Sequence, residues 1–302
     1  MCPCGRHHKQ ETHPMPRLIV LGSGTPAPSN VRWGSSFLLQ IGGEWMMFDC
    51  GPATTYKMYA TGFKATEIDH LFFTHHHSDH DADYPCFLLS RFDMSIGKEN
   101  QLNVYGPTLT EQLTERLLGE DVGAYWHDIV ARTNHPLSLE AYVHRGGKLP
   151  RRAPKINARD IKPGIVATGN SWEITAAPVE HVQPYLDSLA YRIDSDEGSI
   201  VFSGDTRPCQ SLTDLAKGAD LLVMECIKLH DDWKGTASAD SETDTWGAGQ
   251  TAQDAGVKRV LLNHQNLTLE DPIKKTQAIH EVKQFYGGPV LWADELMEVP
   301  FE

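Results

Sequence analysis

The stretch Ile68-Asp-His-Leu-Phe-Phe-Thr-His75-His-His77-Ser-Asp79-His80 decides how this sequence folds. An apolar run of strand length leads directly into a loop rich in histidine. The imidazoles of His75 and His77, two residues apart, can converge on one point, while Asp79 and His80 face a second point nearby. Imidazole and carboxylate ligands suit Zn²⁺, and also Fe and Mn. The stretch therefore predicts a strand that ends in a metal centre.

Three further candidate ligands each follow an apolar run elsewhere in the chain. His181 follows Ala-Pro-Val-Glu, Asp205 follows Val-Phe-Ser-Gly, and His264 follows Val-Leu-Leu-Asn. Together with the histidine loop, these three residues complete a set of candidate metal ligands. His76 alternates with the candidate ligands of the loop, and we expect it to face away from the metal.

Composition limits the class of protein. The 302 residues include 15 histidines and carry a formal charge of −13. No apolar run approaches the roughly 20 residues of a membrane span, so we expect no membrane association. Binding to nucleic acid depends on positive side chains that neutralise phosphates, and this chain is acidic overall, so we expect no nucleic-acid partner. Six dispersed cysteines and an N-terminus without an apolar segment indicate a reducing, cytoplasmic protein.

Apolar runs and helical patterns alternate in both halves of the chain. This mixture predicts an α/β sandwich rather than one doubly wound sheet. The predicted strands are 18–21, 36–41, 44–48, 68–74, 172–176, 188–193, 199–202, 221–224, 258–262 and 290–293. The predicted helices are one after Pro52, 245–255 and 271–286. We expect residues 1–16 to form a flexible tail and residues 17–302 to form one catalytic domain.

A change of composition indicates an inserted segment at about 107–162. Its apolar helices favour a homodimer, and its last part, 145–162, holds seven basic residues and one acid. That basic stretch is either a solvated loop that balances the acidic body or a surface near the site that attracts an anionic substrate. Aromatic residues are candidate pocket walls, although a core position is the commoner role for each. These candidates are Trp33, 84–92, Tyr125, Trp126 and His127.

With these spaced motifs, residues 17–302 resemble the metallo-β-lactamase fold superfamily of metallo-hydrolases. The resemblance implies a four-layer αβ/βα sandwich with two divalent metal ions at the sheet edge, zinc first, with Mn or Fe as alternatives. The ligands implied for the first metal are His75, His77 and His181. The ligands implied for the second metal are Asp79, His80 and His264. Asp205 would bridge both metals, and Asp49 would orient the histidine loop.

Several short blocks look like the ribonuclease Z and arylsulfatase-like branch of that superfamily. They are Leu21-Gly-Ser-Gly-Thr-Pro, Phe48-Asp-Cys-Gly, Ser188-Leu-Ala-Tyr-Arg-Ile and Leu222-Val-Met-Glu-Cys. In that branch the glutamate at the position of Glu225 pairs with a histidine that protonates the leaving group. Here that histidine position holds Glu242. Glu242 is either a buried acid of raised pKa that replaces the histidine, or an exposed loop residue near a helix start.

The resemblance implies a dinuclear metal-dependent hydrolase of a small ester, either a phosphodiester or an aryl sulfate. A metal-bound hydroxide would attack, with Asp79 and Asp205 orienting it. The alternative is a carboxylic ester hydrolase or lactonase, which needs no histidine donor, and a non-catalytic or redox role is a third. Ribonuclease Z has a long basic arm after the segment that corresponds to Tyr191-Arg-Ile, whereas here an acidic turn follows at once. We therefore expect that the chain is not a tRNA 3′-processing enzyme.

Overall fold

Two seven-stranded mixed sheets form the centre of the structure, a computed structural model that describes residues 16–96 and 101–300. The first sheet consists, in spatial order, of β14 (Glu298–Val299), β1 (Arg17–Gly22), β2 (Ser36–Ile41), β3 (Glu44–Phe48), β4 (His70–Phe72), β5 (Gln101–Gly106) and β6 (Lys155–Asp160). The second sheet consists, in spatial order, of β13 (Val290–Trp292), β12 (Val260–Asn263), β11 (Leu221–Glu225), β10 (Gly198–Phe202), β9 (Leu189–Ser195), β8 (Trp172–Pro178) and β7 (Gly164–Thr168).

Helices cover the outer face of each sheet. The stretch between β3 and β6 contains α1 (Thr54–Ala60), α2 (Ser78–Asp81), α3 (Tyr84–Met94), α4 (Thr110–Leu118), α5 (Trp126–Asn134) and α6 (Pro136–His144). On the second sheet the helices are α7 (Gln210–Leu215), α8 (His230–Trp233), α9 (Thr245–Ala255) and α10 (Pro272–Lys283). The result is the four-layer sandwich expected from the resemblance, and the predicted fold class is confirmed.

Alternation along the strands builds three apolar layers. In β10, Phe202 points between the sheets, whereas Val201 packs beneath the helices of the second sheet. The layer between the sheets is rich in aromatic rings, and Phe48 of the first sheet stacks on Phe202 of the second with 4.1 Å between ring centroids. Alternate residues of a strand face opposite sides, so each central strand supplies two cores at once.

Each predicted strand and helix occurs within a few residues of its expected bounds. The strands β5, β6, β7 and β14 were not predicted. β6, for example, lies at the sheet edge and reads Lys-Ile-Asn-Ala-Arg-Asp, with both ends exposed. Charged side chains protect such an edge but remove the apolar alternation by which a strand is recognised.

The segment between β5 and β6 corresponds to the inserted stretch expected at 107–162. Its helices α4 and α5 pack on the first sheet through buried Leu118 and Ile129, while α6 follows α5 directly. Residues 1–15 of the expected tail lie outside the described part of the chain. Among the described residues, every helix is too short or too polar to cross a lipid bilayer.

Strand direction decides where the functional residues lie. β3 to β6 run parallel to one another, as do β10 to β13. β8 runs in the same direction as β10, because both strands pair antiparallel with β9. Carboxyl ends of parallel strands meet at one edge of a sheet. Residues that follow β4, β8, β10 and β12 therefore come together at a single edge of the sandwich.

Candidate metal centre

The carboxylate of Asp49 holds the histidine loop in place. One oxygen, Oδ1, accepts a hydrogen bond of 2.7 Å from the backbone N–H of Thr74, and the other, Oδ2, lies 2.8 Å from Nδ1 of His80. Asp49 is 2% exposed and has a φ of 57°, a left-handed value that aspartate tolerates. Two residues later, a Cβ on Gly51 would stand 2.1 Å from the carbonyl oxygen of Asp79. The Asp49-Cys-Gly51 turn and the histidine loop are thus locked together.

Four side chains form the first cluster of potential ligands: His75, His77, His181 and Asp205. Nδ1 of His77 lies 3.1 Å from Nε2 of His75 and 3.2 Å from Nε2 of His181. Oδ2 of Asp205 lies 3.7 Å from Nε2 of His75. Three imidazole nitrogens and a carboxylate oxygen therefore converge within a few ångströms, which is the donor set that zinc prefers.

The second cluster consists of Asp79, His80, Asp205 and His264. Nε2 of His264 lies 3.1 Å from Oδ2 of both Asp79 and Asp205. Nε2 of His80 lies 3.3 Å from the same oxygen of Asp205 and 3.6 Å from Oδ2 of Asp79. Asp205 belongs to both clusters, so its carboxylate lies where a bridging ligand would be needed.

Hydrogen bonds on the far side of the rings fix which nitrogen faces the centre. His181 directs Nδ1 to the carbonyl oxygen of Ser241 at 2.9 Å, and His80 directs Nδ1 to Asp49. A ring that donates through Nδ1 presents the lone pair of Nε2, which is the form that binds a metal. The buried atoms Nε2 of His80 and Oδ1 of Asp79 have no hydrogen-bond partner within the described part of the chain.

Burial couples the charges of the ligand side chains to one another. Burial, together with the neighbouring His80, lowers the pKa of His75 well below its ordinary value, which keeps the ring neutral. For Asp205, burial acts to raise the pKa, but the imidazoles of His264 and His80 outweigh it and hold the pKa well below the ordinary value. His80 and His264 shift in the opposite direction to His75: burial acts to lower their pKa, but the carboxylate of Asp205 outweighs it and raises the pKa of both rings. Metal binding needs neutral imidazoles and ionised carboxylates, so a cation would displace a proton from these two rings. The donor set, its burial and its unpaired atoms therefore fit a pair of divalent ions.

Glu225 and Glu242 lie at the rim of this centre and face each other. Glu225, at the end of β11, is 2% exposed and accepts a hydrogen bond of 2.6 Å from the backbone N–H of Thr206. Glu242 has a side chain 15% exposed, with Oε1 3.7 Å from Nδ1 of His181. Burial, followed by the charge of Glu242, raises the pKa of Glu225 well above its ordinary value, so the two carboxyl groups favour sharing a proton.

The surroundings of Glu242 bear on the two interpretations of this residue. The residue is not an exposed loop acid, because it packs between Glu225 and His181. Its place near the start of α9 does not make it a cap either. That role belongs to Asp244, which accepts a hydrogen bond of 2.8 Å from the backbone N–H of Gly247.

Other residues considered in the sequence lie away from the metal ligands. His76 turns from the centre and contacts Asp81 at 3.2 Å and Thr110 at 2.8 Å. The proposed aromatic walls are largely core: Tyr84 and Phe87 are fully buried on the first sheet. The remaining aromatic candidates either pack against that core or are partly exposed, and they are Trp33, Tyr125, Trp126 and His127.

A cavity of about 740 Å³ opens beside His181 at the metal edge. One of its walls is the loop that follows His181, and this loop is braced by Gln183, whose side chain bonds the N–H of His181 and the carbonyl oxygen of Val179. Tyr185, on the same loop, is 92% exposed. Sequence analysis did not single out Tyr185, although an exposed tyrosine shortly after a candidate ligand histidine, within Gln-Pro-Tyr-Leu-Asp, is a candidate for substrate contact.

The basic stretch 145–162 does not form one surface at the site. Lys162 lines the cavity beside His181, but Lys148, Arg151, Arg152 and Lys155 line a different cavity at the opposite ends of β5 and β6. The stretch is divided because β6 runs through it and separates its two ends by the length of a strand.

Comparison with known proteins identifies the family. The family model described as "Beta-lactamase superfamily domain" matches residues 44–265, a range that contains all seven candidate ligands. A ribonuclease Z from Mycobacterium sp. (strain KMS) is 28% identical over 83% of this chain and 84% of its own. A ribonuclease Z from Mycobacterium avium (strain 104) is 32% identical over 71% of each chain. The fold is similar to the metallo-beta-lactamase fold protein YhfI of Bacillus subtilis, with a TM-score of 0.73, 20% identity and coverage of 94% and 98%.

These relatives overturn two of the expectations. The exclusion of tRNA 3′ processing, and with it of a nucleic-acid partner, was wrong, because the relatives that match most of the chain are named ribonuclease Z. The turn between β9 and β10 is indeed short, with Ser195 paired to Gly198. Its shortness leaves the two clusters of potential metal ligands unchanged. The net charge of −13 was equally uninformative, since it averages the whole surface whereas phosphates are recognised locally.

The clusters, the sandwich and the relatives lead to one assignment. The metal-binding side chains lie at the edge where a metallo-hydrolase of this fold needs them, and the matched range spans them all. This chain belongs to the beta-lactamase superfamily of metal-dependent hydrolases, in the branch that includes ribonuclease Z.

Proposed function

We propose that this chain is a zinc-dependent phosphodiesterase that cleaves RNA, with precursors of transfer RNA as its substrates. The observation that carries the proposal is the match of most of the chain to proteins named ribonuclease Z, over a range that contains the paired metal clusters. The small-ester specificity expected from the sequence gives way to a polymeric phosphodiester. The five imidazoles of the two clusters and the carboxylate of Asp205 that they share support zinc as the metal.

Two bound zinc ions would polarise the scissile phosphate and make hydroxide available near neutral pH. The chain's own residues set the geometry for this chemistry. Asp205 presents an ionised oxygen to both clusters and Asp79 presents one to the second, while Asp49 holds the histidine loop in place behind them. Because these carboxylates are buried and fixed, they need no rearrangement when the phosphate arrives.

Glu242 supplies the proton that the leaving oxygen needs. It takes the place of the histidine found at this position in the branch, and Glu225 keeps a proton on the pair because both carboxyl groups cannot ionise easily side by side. Glu242 is the more exposed of the two, so it is the one that can reach the substrate. In this proposal Glu225 is a positioning residue and Glu242 is the general acid.

The direct test is cleavage of a precursor transfer RNA that carries a 3′ trailer. We expect zinc-loaded protein to release the trailer, and His77→Ala protein to release none, because His77 contributes to the first cluster. Gel analysis of end-labelled RNA gives the readout, with bis(p-nitrophenyl) phosphate as a small phosphodiester control. Hydrolysis of that control by a zinc-loaded protein that leaves all RNA intact would contradict the RNA specificity while keeping the phosphodiesterase.

Metal content is expected to be about two zinc ions per chain. Asp205→Ala should lower occupancy at both clusters, whereas His181→Ala should affect chiefly the first, because Asp205 alone contacts both. Mass spectrometry of acid-digested, dialysed protein measures the ratio. His76→Ala is the matched control, since His76 bonds Asp81 and Thr110 instead. Full zinc content in the Asp205→Ala protein would be inconsistent with a bridging carboxylate.

Glu242→Gln should lower kcat for precursor RNA by about 10²- to 10⁴-fold, the usual contribution of a general acid. Its effect on bis(p-nitrophenyl) phosphate should be far smaller, because p-nitrophenolate leaves without a proton. Steady-state kinetics on the two substrates gives the comparison, and Glu242→His should restore cleavage of RNA. Equal losses on both substrates, or loss of zinc, would assign Glu242 to the metal site rather than to proton transfer.

Tyr185→Ala should raise KM for precursor RNA by about 5- to 150-fold, because stacking of one base on an aromatic ring contributes about 1–3 kcal/mol. Tyr185 is 92% exposed and lies two residues after Gln183 of the cavity lining, so its ring is free for such a contact. The KM for bis(p-nitrophenyl) phosphate should not change. Tyr56→Ala is the control, since Tyr56 is 76% exposed on α1. A fall in kcat without a rise in KM would argue against stacking.

A further inference from the structure

A second cavity, of about 570 Å³, lies on the first sheet far from the metal centre. It contains Gln101 and Lys155, the first residues of the parallel strands β5 and β6, whereas the cavity beside His181 contains Pro107 and Ile161, which follow the other ends of these strands. Six residues of strand span about 20 Å. The cavity is therefore separate from the site of hydrolysis.

Its lining combines positive charge with apolar surface. The cationic lining residues are Arg91, Lys148, Arg151, Arg152 and Lys155. The apolar lining residues are Leu88, Phe92, Leu149, Pro150, Pro154 and Ile156. No carboxylate of the described residues lines this cavity, in a chain whose overall charge is −13. Concentration of positive charge in a concave apolar site favours an anion with an apolar body.

Arg151 is a buried cation in the wall of the cavity. It is 8% exposed, and its guanidinium lies between the rings of Phe92 and Tyr142, at 4.6 and 4.8 Å from their centroids. Its Nη2 atom, which is buried, has no hydrogen-bond partner in the described part of the chain. A buried guanidinium with an unused donor is costly unless an anion meets it.

The nearest carboxylate pairs with Arg151 only at long range and is shared with other guanidinium groups. Oδ1 of Asp93 lies 3.5 Å from Nη2 of Arg151, but Asp93 also holds Arg132 at 2.7 Å and Arg145 at 3.0 Å. Arg132 is also paired with Asp128 at 2.7 Å, so two carboxylates serve three guanidinium groups. Arg91 of the lining lies 3.5 Å from Asp69. The local excess of positive charge remains, and the two aromatic rings keep Arg151 pointing in one direction.

We propose that this cavity binds a small phosphorylated compound with an apolar or aromatic body, of about the size of a nucleoside monophosphate. The phosphate would meet Arg151 and the lysines at the rim, and the body would lie against Leu88, Leu149 and Ile156. A volume of about 570 Å³ falls within the range of sites that enclose such ligands. The proposal does not depend on the proposed function, because the cavity and the metal centre share no residue.

The test uses adenosine 5′-monophosphate as the probe, titrated calorimetrically into the zinc-loaded full-length protein. We expect one site per chain beyond any at the metal centre, with adenosine and inorganic phosphate each binding more weakly than the nucleotide. The double variant Lys148→Glu with Lys155→Glu should weaken this site at least tenfold. Both lysines are exposed, so folding and hydrolysis of bis(p-nitrophenyl) phosphate should be unchanged.

Matched control variants distinguish binding in this cavity from binding elsewhere on the protein. Lys217→Glu with Lys283→Glu makes the same change of charge on exposed positions of the other half of the molecule and should leave binding intact. His77→Ala should also leave the site intact, because it alters only the metal centre. Absence of nucleotide binding, or its loss in His77→Ala alone, would overturn the proposal. So would a double variant that raises KM for precursor RNA without changing nucleotide binding, since the cavity would then be an RNA contact.

Discussion

The carboxylate of Asp49 is the contact on which the site depends. It joins the end of β3 to the histidine loop after β4 through the N–H of Thr74 and the ring of His80. Without it, the loop would have to present several imidazoles to two points by its own conformational preference, at a large entropic cost. Because Asp49 is buried between the two strands, the strand pairing of the first sheet also fixes the metal ligands.

The second sheet completes the centre in a complementary way. His181, Asp205 and His264 each follow a different strand of that sheet, so no local segment of chain could assemble them. The aromatic layer that includes Phe48 and Phe202 sets the distance between the sheets, and with it the distance between the two halves of the site. The packing of the core therefore also determines the geometry of the metal centre.

Charge in this protein acts locally rather than through its total. The metal edge holds buried carboxylates that suit divalent ions, and the cavity at the opposite ends of β5 and β6 gathers arginine and lysine. A net charge of −13 describes neither. This is why inference from the total charge excluded nucleic acid wrongly, whereas inference from spaced ligands located both clusters. The metal centre and this cavity lie about 20 Å apart and carry opposite charge, so they can bind different ligands.

The sequence alone determined the sandwich, the strands of the central core and the set of potential metal ligands, because apolar alternation and His-x-His-x-Asp-His spacing are local signals. It could not determine the edge strand β6, whose charged residues hide its pattern, nor the place of Glu242. Only the tertiary structure put Glu242 between Glu225 and His181, residues distant in sequence. Only the tertiary structure showed that the basic residues of 145–162 lie in two cavities at opposite ends of β6. It also placed Arg151 between two aromatic rings, because such contacts depend on which elements pack together.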